Sequence, residues 1–281
     1  MKILSGKAVS KHLRENFKAE VAELSAAKGR PPGLAVVLVG DDPASQVYVS
    51  HKIKACAQVG VRSFEHRKPS ELSAAELKQL IEQLNQDPQV DGILVQLPLP
   101  SHLHQEEVLS WISPLKDADC LTAENLGLLW TGRARTRPCT PAGVMEILKY
   151  YDIDPSGMRA AVVGRSQIVG KPMSLMLLEA DATVTTCHSR TKNLREILLQ
   201  SDLVVAAAGK ALLFGKEDFK KGAVVIDVGI HRGEEGLYGD VRFDELEDHA
   251  FAATPVPGGV GPMTVTMLLA NTIALYKHHM S

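Results

Sequence analysis

The sequence predicts an α/β protein made of two successive parallel-sheet lobes. Short unbroken apolar runs such as GLAVVLVG (33–40), GILVQ (92–96) and AVVIDVGI (223–230) have the length of strands buried on both faces. Between them stand segments with apolar residues three and four apart, the spacing of helices packed on a sheet. The alternation lapses after residue 100 and restarts near Met158, which divides the 281 residues into two units.

Taken in order, the opening MKILSGKAVSKHLRENFKAEV mixes charged and apolar residues like an amphipathic helix and lacks the apolar core of a signal peptide. The run 33–40 is the first strand. In VGDDPASQVYVSHKIKACAQVG, Asp42 is an N-cap, Pro43 the first helical residue and Gly60 a C′ residue. SFEHRKP is a second short strand. Ser73 and Glu76 form a capping-box pattern before a helix with apolar residues at 77, 80, 81 and 84. VDGILVQLPLP is a third strand, stopped by Pro98 and Pro100. The stretch SPLKDADCLTAENLGLLWTGRARTRPCTP has no sustained period and reads as loops and short turns. Thr140-Pro141 then cap a helix to Tyr150 that bridges the lobes. The second lobe runs strand 160–163, glycine turn, helix, strand 181–187, helix, strand, and a further strand ending at Gly229. The last helix begins near Pro262 and is apolar on most faces, as suits a helix wedged between lobes. The predicted domains are 1–139 completed by the helix 262–281, and 140–261.

With 31 basic against 33 acidic side chains and no basic stripe, the composition argues against nucleic acid as a partner. No apolar run approaches the ~18 residues of a membrane span. Cys56, Cys120, Cys139 and Cys187 are scattered singly, with no C-x-x-C and no histidine at metal-ligand spacing. They read as reduced thiols of a cytoplasmic protein without a metal site.

In the second lobe, strand 160–163 is followed by GRSQIVGKP, containing Gly164, Ser166 and Gly170. Ser166 stands where G-x-G-x-x-G has its middle glycine, so on spacing alone a plain tight turn competes with a dinucleotide site. A glycine turn leading to a helix N-terminus is nonetheless where an anion binds. An NAD-specific domain carries an acidic residue ~20 positions later. This chain offers His188, Ser189 and Arg190 there. No carboxylate repels a 2′-phosphate, and Arg165, Ser189 and Arg190 supply donors for one. The competing reading makes them solvated loop-end residues. The pattern favours NADP over NAD.

The first lobe poses a different question. At 100° per residue, Ser45, Tyr48, Lys52 and Cys56 share an arc of about 80° on the apolar side of their helix. Ligands of open α/β sheets bind beyond the carboxyl ends of the strands. Ser45, Tyr48 and Lys52 follow one such end, and Gln96 sits at another. A partly desolvated lysine there has its pKa pushed below ~10.4. Tyr48 and Gln96 are placed to orient it. The alternative is a lysine that snorkels to water.

The segments DDPASQVYVSHK, GILVQLPLP, GRSQIVGKPM, ATVTTCHSRT, GAVVIDVGI and TPVPGGVGPMT, collinear through essentially the whole chain, resemble the bifunctional methylenetetrahydrofolate dehydrogenase/methenyltetrahydrofolate cyclohydrolase family. The resemblance implies two α/β lobes flanking a cleft, the second a Rossmann-like NADP-binding domain, in an enzyme that is usually a homodimer paired through the cofactor lobes. It implies a folate substrate over the first lobe. Lys52 matches the catalytic lysine, Tyr48 its partner near the pterin, Gln96 the residue that holds the lysine, and Asp119 the carboxylate that grips the pterin. Ser45, Pro257 and Gly258 fall at substrate-binding positions, the latter two in the loop 255–262 that closes beside both ligands. Gly164, Arg165, Ser166, Ser189 and Ile230 match NADP-binding positions, with Arg190 adjoining. A monofunctional dehydrogenase and a non-catalytic folate- or nucleotide-binding regulator are the alternatives; Lys52, Tyr48 and Gln96 speak against the first, and retention of both halves of the site against the second. One departure is local: the family commonly reads K-D-x-D-G where this chain has KDADC, 116–120. Glycine there suits a positive φ or close approach to the pterin, so Cys120 is expected to bear on the placement of Asp119.

Overall fold

A computed structural model describes residues 1–234 and 236–280. Its elements are β1 (Lys2–Ile3), α1 (Gly6–Lys28), β2 (Gly33–Val39), α2 (Pro43–Val59), β3 (Arg62–Lys68), α3 (Ala74–Gln86), β4 (Gly92–Val95), α4 (Gln105–Ser110), α5 (Ala123–Trp130), α6 (Cys139–Tyr150), β5 (Arg159–Val163), α7 (Gly170–Glu179), β6 (Thr183–Cys187), α8 (Leu194–Leu199), β7 (Leu203–Ala206), β8 (Val224–Asp227), β9 (His231–Gly233), β10 (Gly236–Tyr238), β11 (Ala252–Ala253) and α9 (Val260–His279). They pack into a first unit, His12–Cys139 with Val265–Ser281, and a second, Met1–Lys11 with Thr140–Thr264.

In the first unit β2 lies between β3 and β4, all parallel. Every residue of β2 is buried, as its unbroken apolar run requires of a central strand. The chain leaves β2 through α2 for β3 on one side, then returns through α3 to β4 on the other. The carboxyl ends of β2 and β4 therefore form a topological switch point. The Asp42 carboxylate accepts the Ser45 N–H, and Gly60 ends α2 in the left-handed conformation. Ser73 and Glu76 form the capping box of α3, whose Leu77, Ile81 and Leu84 pack with Ala35, Val37, Ile93 and Val95. Where the sequence predicts only loops and turns, α4 and α5 form. At 6 and 8 residues they are too short to show a sustained apolar period.

The second unit holds a six-stranded parallel sheet ordered β1-β11-β8-β7-β5-β6. The chain passes from β5 to β6 and then crosses back to β7 on the other side of β5, so this sheet also has a switch point, between β5 and β7. The two-residue strand β1 pairs with β11, Lys2 opposite Ala252. Met1–Lys11 consequently pack with the second unit, not with the 1–139 lobe to which their sequence position assigns them. Other boundaries move by a few residues. Strand β8 ends at Asp227, two residues short of Gly229, and α9 starts at Val260 and ends at His279. Ser281, the last residue of the predicted helix, lies outside the described residues. Among the described residues no helix is long and apolar enough to cross a membrane.

Candidate functional site

Two sets of residues collect at the two switch points, and each is built within its own unit. In the first, Lys52 projects from the third turn of α2 and is only 9% exposed. Its Nζ donates to Gln96 Oε1 at 2.8 Å. Gln96 follows β4 directly, and its backbone N–H donates to Val37 O on β2 at 2.8 Å. The Gln96 amide N–H₂ donates to Leu97 O, which turns the amide oxygen toward the lysine.

Asp119 arrives from the segment after α4. Ile93 and Asp117 form a parallel bridge, with Ile93 N–H donating to Lys116 O and Ala118 N–H to Ile93 O. That bridge fixes the segment against β4 two residues before Asp119. The rest of KDADC is structural. Lys116 Nζ donates to Leu84 O and Asp87 O, and the buried Asp117 carboxylate accepts the N–H groups of Leu121 and Thr122. Cys120 lies in the left-handed region at φ 57, as a glycine position would, and its thiol donates to Thr136 O at 3.3 Å.

Burial lowers the Lys52 pKa below its ordinary 10.5, and the Asp119 charge opposes that shift. Burial raises the Asp119 carboxyl, with Lys52 and a hydrogen bond to Cys139 pulling it back. The Cys56 thiol is pushed up to about 12 and Cys139 well above 9.0, both by burial. Both sulfurs are therefore neutral at ordinary pH, and the Asp119 charge is the largest influence opposing the desolvation of Lys52.

The helix arc holds only in part. Ser45 is buried at 2%, but its N–H and side chain both bond Asp42, so it serves the helix cap. Tyr48, predicted on the core-facing arc, is 41% exposed. It sits at the edge of that arc, about 80° from Cys56. It lies one turn from Lys52 on α2.

Two participants have no signal in the sequence reading. Cys139 hydrogen-bonds Asp119, and Asn271 of α9 holds that corner together. The Asn271 amide donates to Ala118 O and Arg137 O, both at 2.8 Å, and its oxygen accepts the Arg137 N–H. A lone amide in the apolar run MTVTMLLANTIALYK was the available clue, since a buried amide needs partners. Pro257 and Gly258 lie in the second unit, on the loop between β11 and α9, where Gly258 O accepts the Lys7 N–H.

The second set lies along one edge of the six-stranded sheet. Val163 of β5 pairs with Cys187 of β6 and Ala206 of β7, so the turns beginning at Gly164, His188 and Ala207 start side by side. Gly164 has φ 145, and a Cβ there would stand 2.3 Å from Ala207 O. A Cβ on Gly170 would stand 2.2 Å from Gly164 O. The two glycines thus let the chain fold into a cradle that no side chain fills. Ser166 Oγ accepts the N–H groups of Val169 and Gly170 and caps α7 from within the turn. Arg165, Ser189 and Arg190 are exposed, and Ile230 is 44% exposed. The turn after β6 is closed by Thr191, whose hydroxyl accepts the His188 N–H. It presents a serine and an arginine, with no carboxylate. A tight glycine cradle beside two arginines fits a dinucleotide bearing a 2′-phosphate. Among the described residues no group of His, Cys, Asp and Glu is assembled to hold a metal ion.

Residues 4–119 match the family described as tetrahydrofolate dehydrogenase/cyclohydrolase, catalytic domain, and residues 138–280 match its NAD(P)-binding domain. A bifunctional protein FolD from Bdellovibrio bacteriovorus is 58% identical over 275 residues, covering 97% of this chain and 96% of that one. The crystal structure of the bifunctional FolD methylenetetrahydrofolate dehydrogenase/cyclohydrolase of Campylobacter jejuni matches with a TM-score of 0.96 at 46% identity, over 99% of both chains. The Trypanosoma brucei methylenetetrahydrofolate dehydrogenase-cyclohydrolase, complexed with NADP and an inhibitor, matches with a TM-score of 0.94 at 41% identity over 98% of this chain and 97% of its own.

Proposed function

The chain belongs to the tetrahydrofolate dehydrogenase/cyclohydrolase family, and from that membership and its two sets of residues we propose how it carries out both reactions. It oxidises 5,10-methylenetetrahydrofolate to the 5,10-methenyl compound with NADP, then hydrolyses that product to 10-formyltetrahydrofolate. Bound NADP supplies a hydride acceptor. Gly164, Arg165, Ser166, Ser189, Arg190 and Ile230 of the second unit would hold it, Arg165 and Arg190 by charge-assisted bonds to phosphate.

Oxidation leaves a delocalised cation and moves no proton, so this chain's task there is alignment. Hydrolysis differs. Water adds to the cationic methenyl carbon and gives up one proton. The carbon–N5 bond then breaks with its electron pair left on N5, N5 takes up the proton of the carbinol hydroxyl, and the formyl group stays on N10. Lys52 is the base or relay for the proton that water gives up. Its burial makes the neutral amine accessible. Gln96 fixes its Nζ, Asp119 bonds the pterin edge, and Tyr48 stands at the rim beside the ring. Ser45 supports the helix that carries Lys52 and Tyr48, and Pro257 and Gly258 are assigned to the substrate by the motif they share with the family.

The observation that carries this reading is a buried lysine held at 2.8 Å by a side-chain amide at a sheet switch point. Its test is Lys52→Met, assayed for both half-reactions. Hydrolysis should fall ~10²–10⁴-fold, the usual contribution of a general base, while oxidation retains far more of its rate. The wild-type hydrolysis rate should also rise with pH through a limb below 10.5, because the neutral amine grows as pH passes the lowered pKa. The variant should lack that limb. Equal loss of both activities in a folded variant would make Lys52 a binding residue instead.

We also read the chain as a homodimer formed through the second unit. Support comes from β6, which among the described residues pairs with β5 alone and stands at the edge of the sheet. Four unpaired thiols, all buried, support a reducing compartment, the cytoplasm.

A further inference from the structure

Asp240 is fully buried and belongs to neither set of residues described above. Its Oδ2 accepts the N–H groups of Ala208 at 2.6 Å and Gly209 at 3.0 Å. Its Oδ1 accepts the N–H of Lys210 at 3.0 Å and lies 2.7 Å from His231 Nε2. Three successive backbone amides converging on one point form a nest, a ready anion site. Here the anion is the protein's own carboxylate.

The place of this nest matters. It begins one residue after Ala207, whose carbonyl packs against Gly164 at the switch point. A second buried carboxylate, Asp227, holds Asp240 in turn. Asp227 Oδ1 accepts the N–H groups of Gly229 and Asp240, and its Oδ2 accepts that of Val241. Two glycines make room for the pair. A Cβ on Gly229 would stand 2.4 Å from Asp240 Oδ1, and one on Gly239 would stand 1.9 Å from Asp227 Oδ2. With these three amides donating to Asp240, none of them faces a phosphate as a free donor.

We propose that Asp240 is a positioning residue for the dinucleotide, acting through the backbone of Ala208–Lys210 to shape the loop beyond β7 and to keep phosphate off it. His231 and Asp227 hold Asp240 in that role. The inference rests on the dinucleotide reading of the second unit.

The test measures KM for NADP in oxidation, and methenyl hydrolysis on the same preparations. Asp240→Asn leaves one acceptor oxygen for three amides and should raise the KM for NADP at least about fivefold. Hydrolysis should stay within about twofold, since Lys52, Gln96 and Asp119 all lie in the first unit. Gly209→Ala is the second variant. Gly209 is exposed at φ 67 with open space around a Cβ, so alanine strains the loop without disturbing the core. It should shift the same KM in the same direction even if Asp240→Asn fails to fold. The double variant should be less impaired than the product of the singles, because both act on one loop.

Arg165→Ala serves as the reference. If it raises the KM for NADP while Gly209→Ala and any folded Asp240→Asn do not, the role of Asp240 is overturned and the dinucleotide reading stands. If none of the three raises it, the dinucleotide reading itself falls. Equal loss of oxidation and hydrolysis in Asp240→Asn would reduce Asp240 to a structural residue.

Discussion

Cys120 shows how a single backbone angle constrains a site. The residue after Asp119 sits at φ 57 with its side chain fully buried and its thiol bonded to Thr136 O. A non-glycine residue in this region costs roughly 1–2 kcal/mol. The buried thiol and its hydrogen bond offset part of that. Cys120→Gly should therefore change unfolding stability by no more than about 1 kcal/mol, losing packing while gaining backbone freedom. Cys120→Val keeps the volume but adds a β-branch, which fits the left-handed region poorly, and should lose about 2 kcal/mol or more. Urea unfolding of the pair decides the matter. A valine variant as stable as the glycine variant would mean that this backbone angle carries no strain.

The element that most sharply defines the second unit is the turn between β5 and α7. Its two glycines are demanded because a Cβ at either position would stand 2.3 or 2.2 Å from a backbone oxygen, a clash that no side-chain rearrangement relieves. The neighbouring turn after β6 offers Ser189 and Arg190 in place of an acid. We expect a preference for NADP over NAD of at least about tenfold in kcat/KM. That needs only ~1.4 kcal/mol, less than one charge-assisted hydrogen bond contributes. Arg165→Ala and Ser189→Ala should raise the KM for NADP and leave that for NAD nearly unchanged, because only the former carries the 2′-phosphate. A wild type that uses both nucleotides equally would show that the phosphate pocket has been misplaced.

At the scale of the whole molecule, the open edge of β6 carries the exposed Thr183, Thr185 and Thr186, with Ser174 bonded to Thr186 beside them. β-Branched threonines suit strand pairing, and an uncovered parallel edge is a template for a second copy. Light scattering of the purified chain should give twice the 30.4 kDa chain mass. Inserting a proline at Val184 should shift that mass toward the monomer. A monodisperse 30.4 kDa species at micromolar wild-type concentration would exclude the dimer.

The elements that local chemistry dictates were legible in the amino-acid sequence. Asp42, Pro43 and Gly60 bounded α2, Ser73 and Glu76 started α3, and unbroken apolar runs marked the central strands, because caps and burial patterns act within a few residues. The position of Lys52 on an apolar arc was legible for the same reason. Tertiary structure alone decided the rest. Strands of two residues carry no pattern, so only pairing with β11 reveals that Met1–Lys11 belong to the second unit. Helical periodicity gave no way to tell that Tyr48 stands exposed while Ser45 and Lys52 are buried, since burial at the rim of an arc depends on what packs against it. Nor did it reveal that Asn271, more than 130 residues from Arg137, holds the corner behind Asp119. The Asp227–Asp240 pair was hidden for the same physical reason. A buried carboxylate is recognised by the amides folded around it, and those amides converge only when the sheet and its return loops have closed.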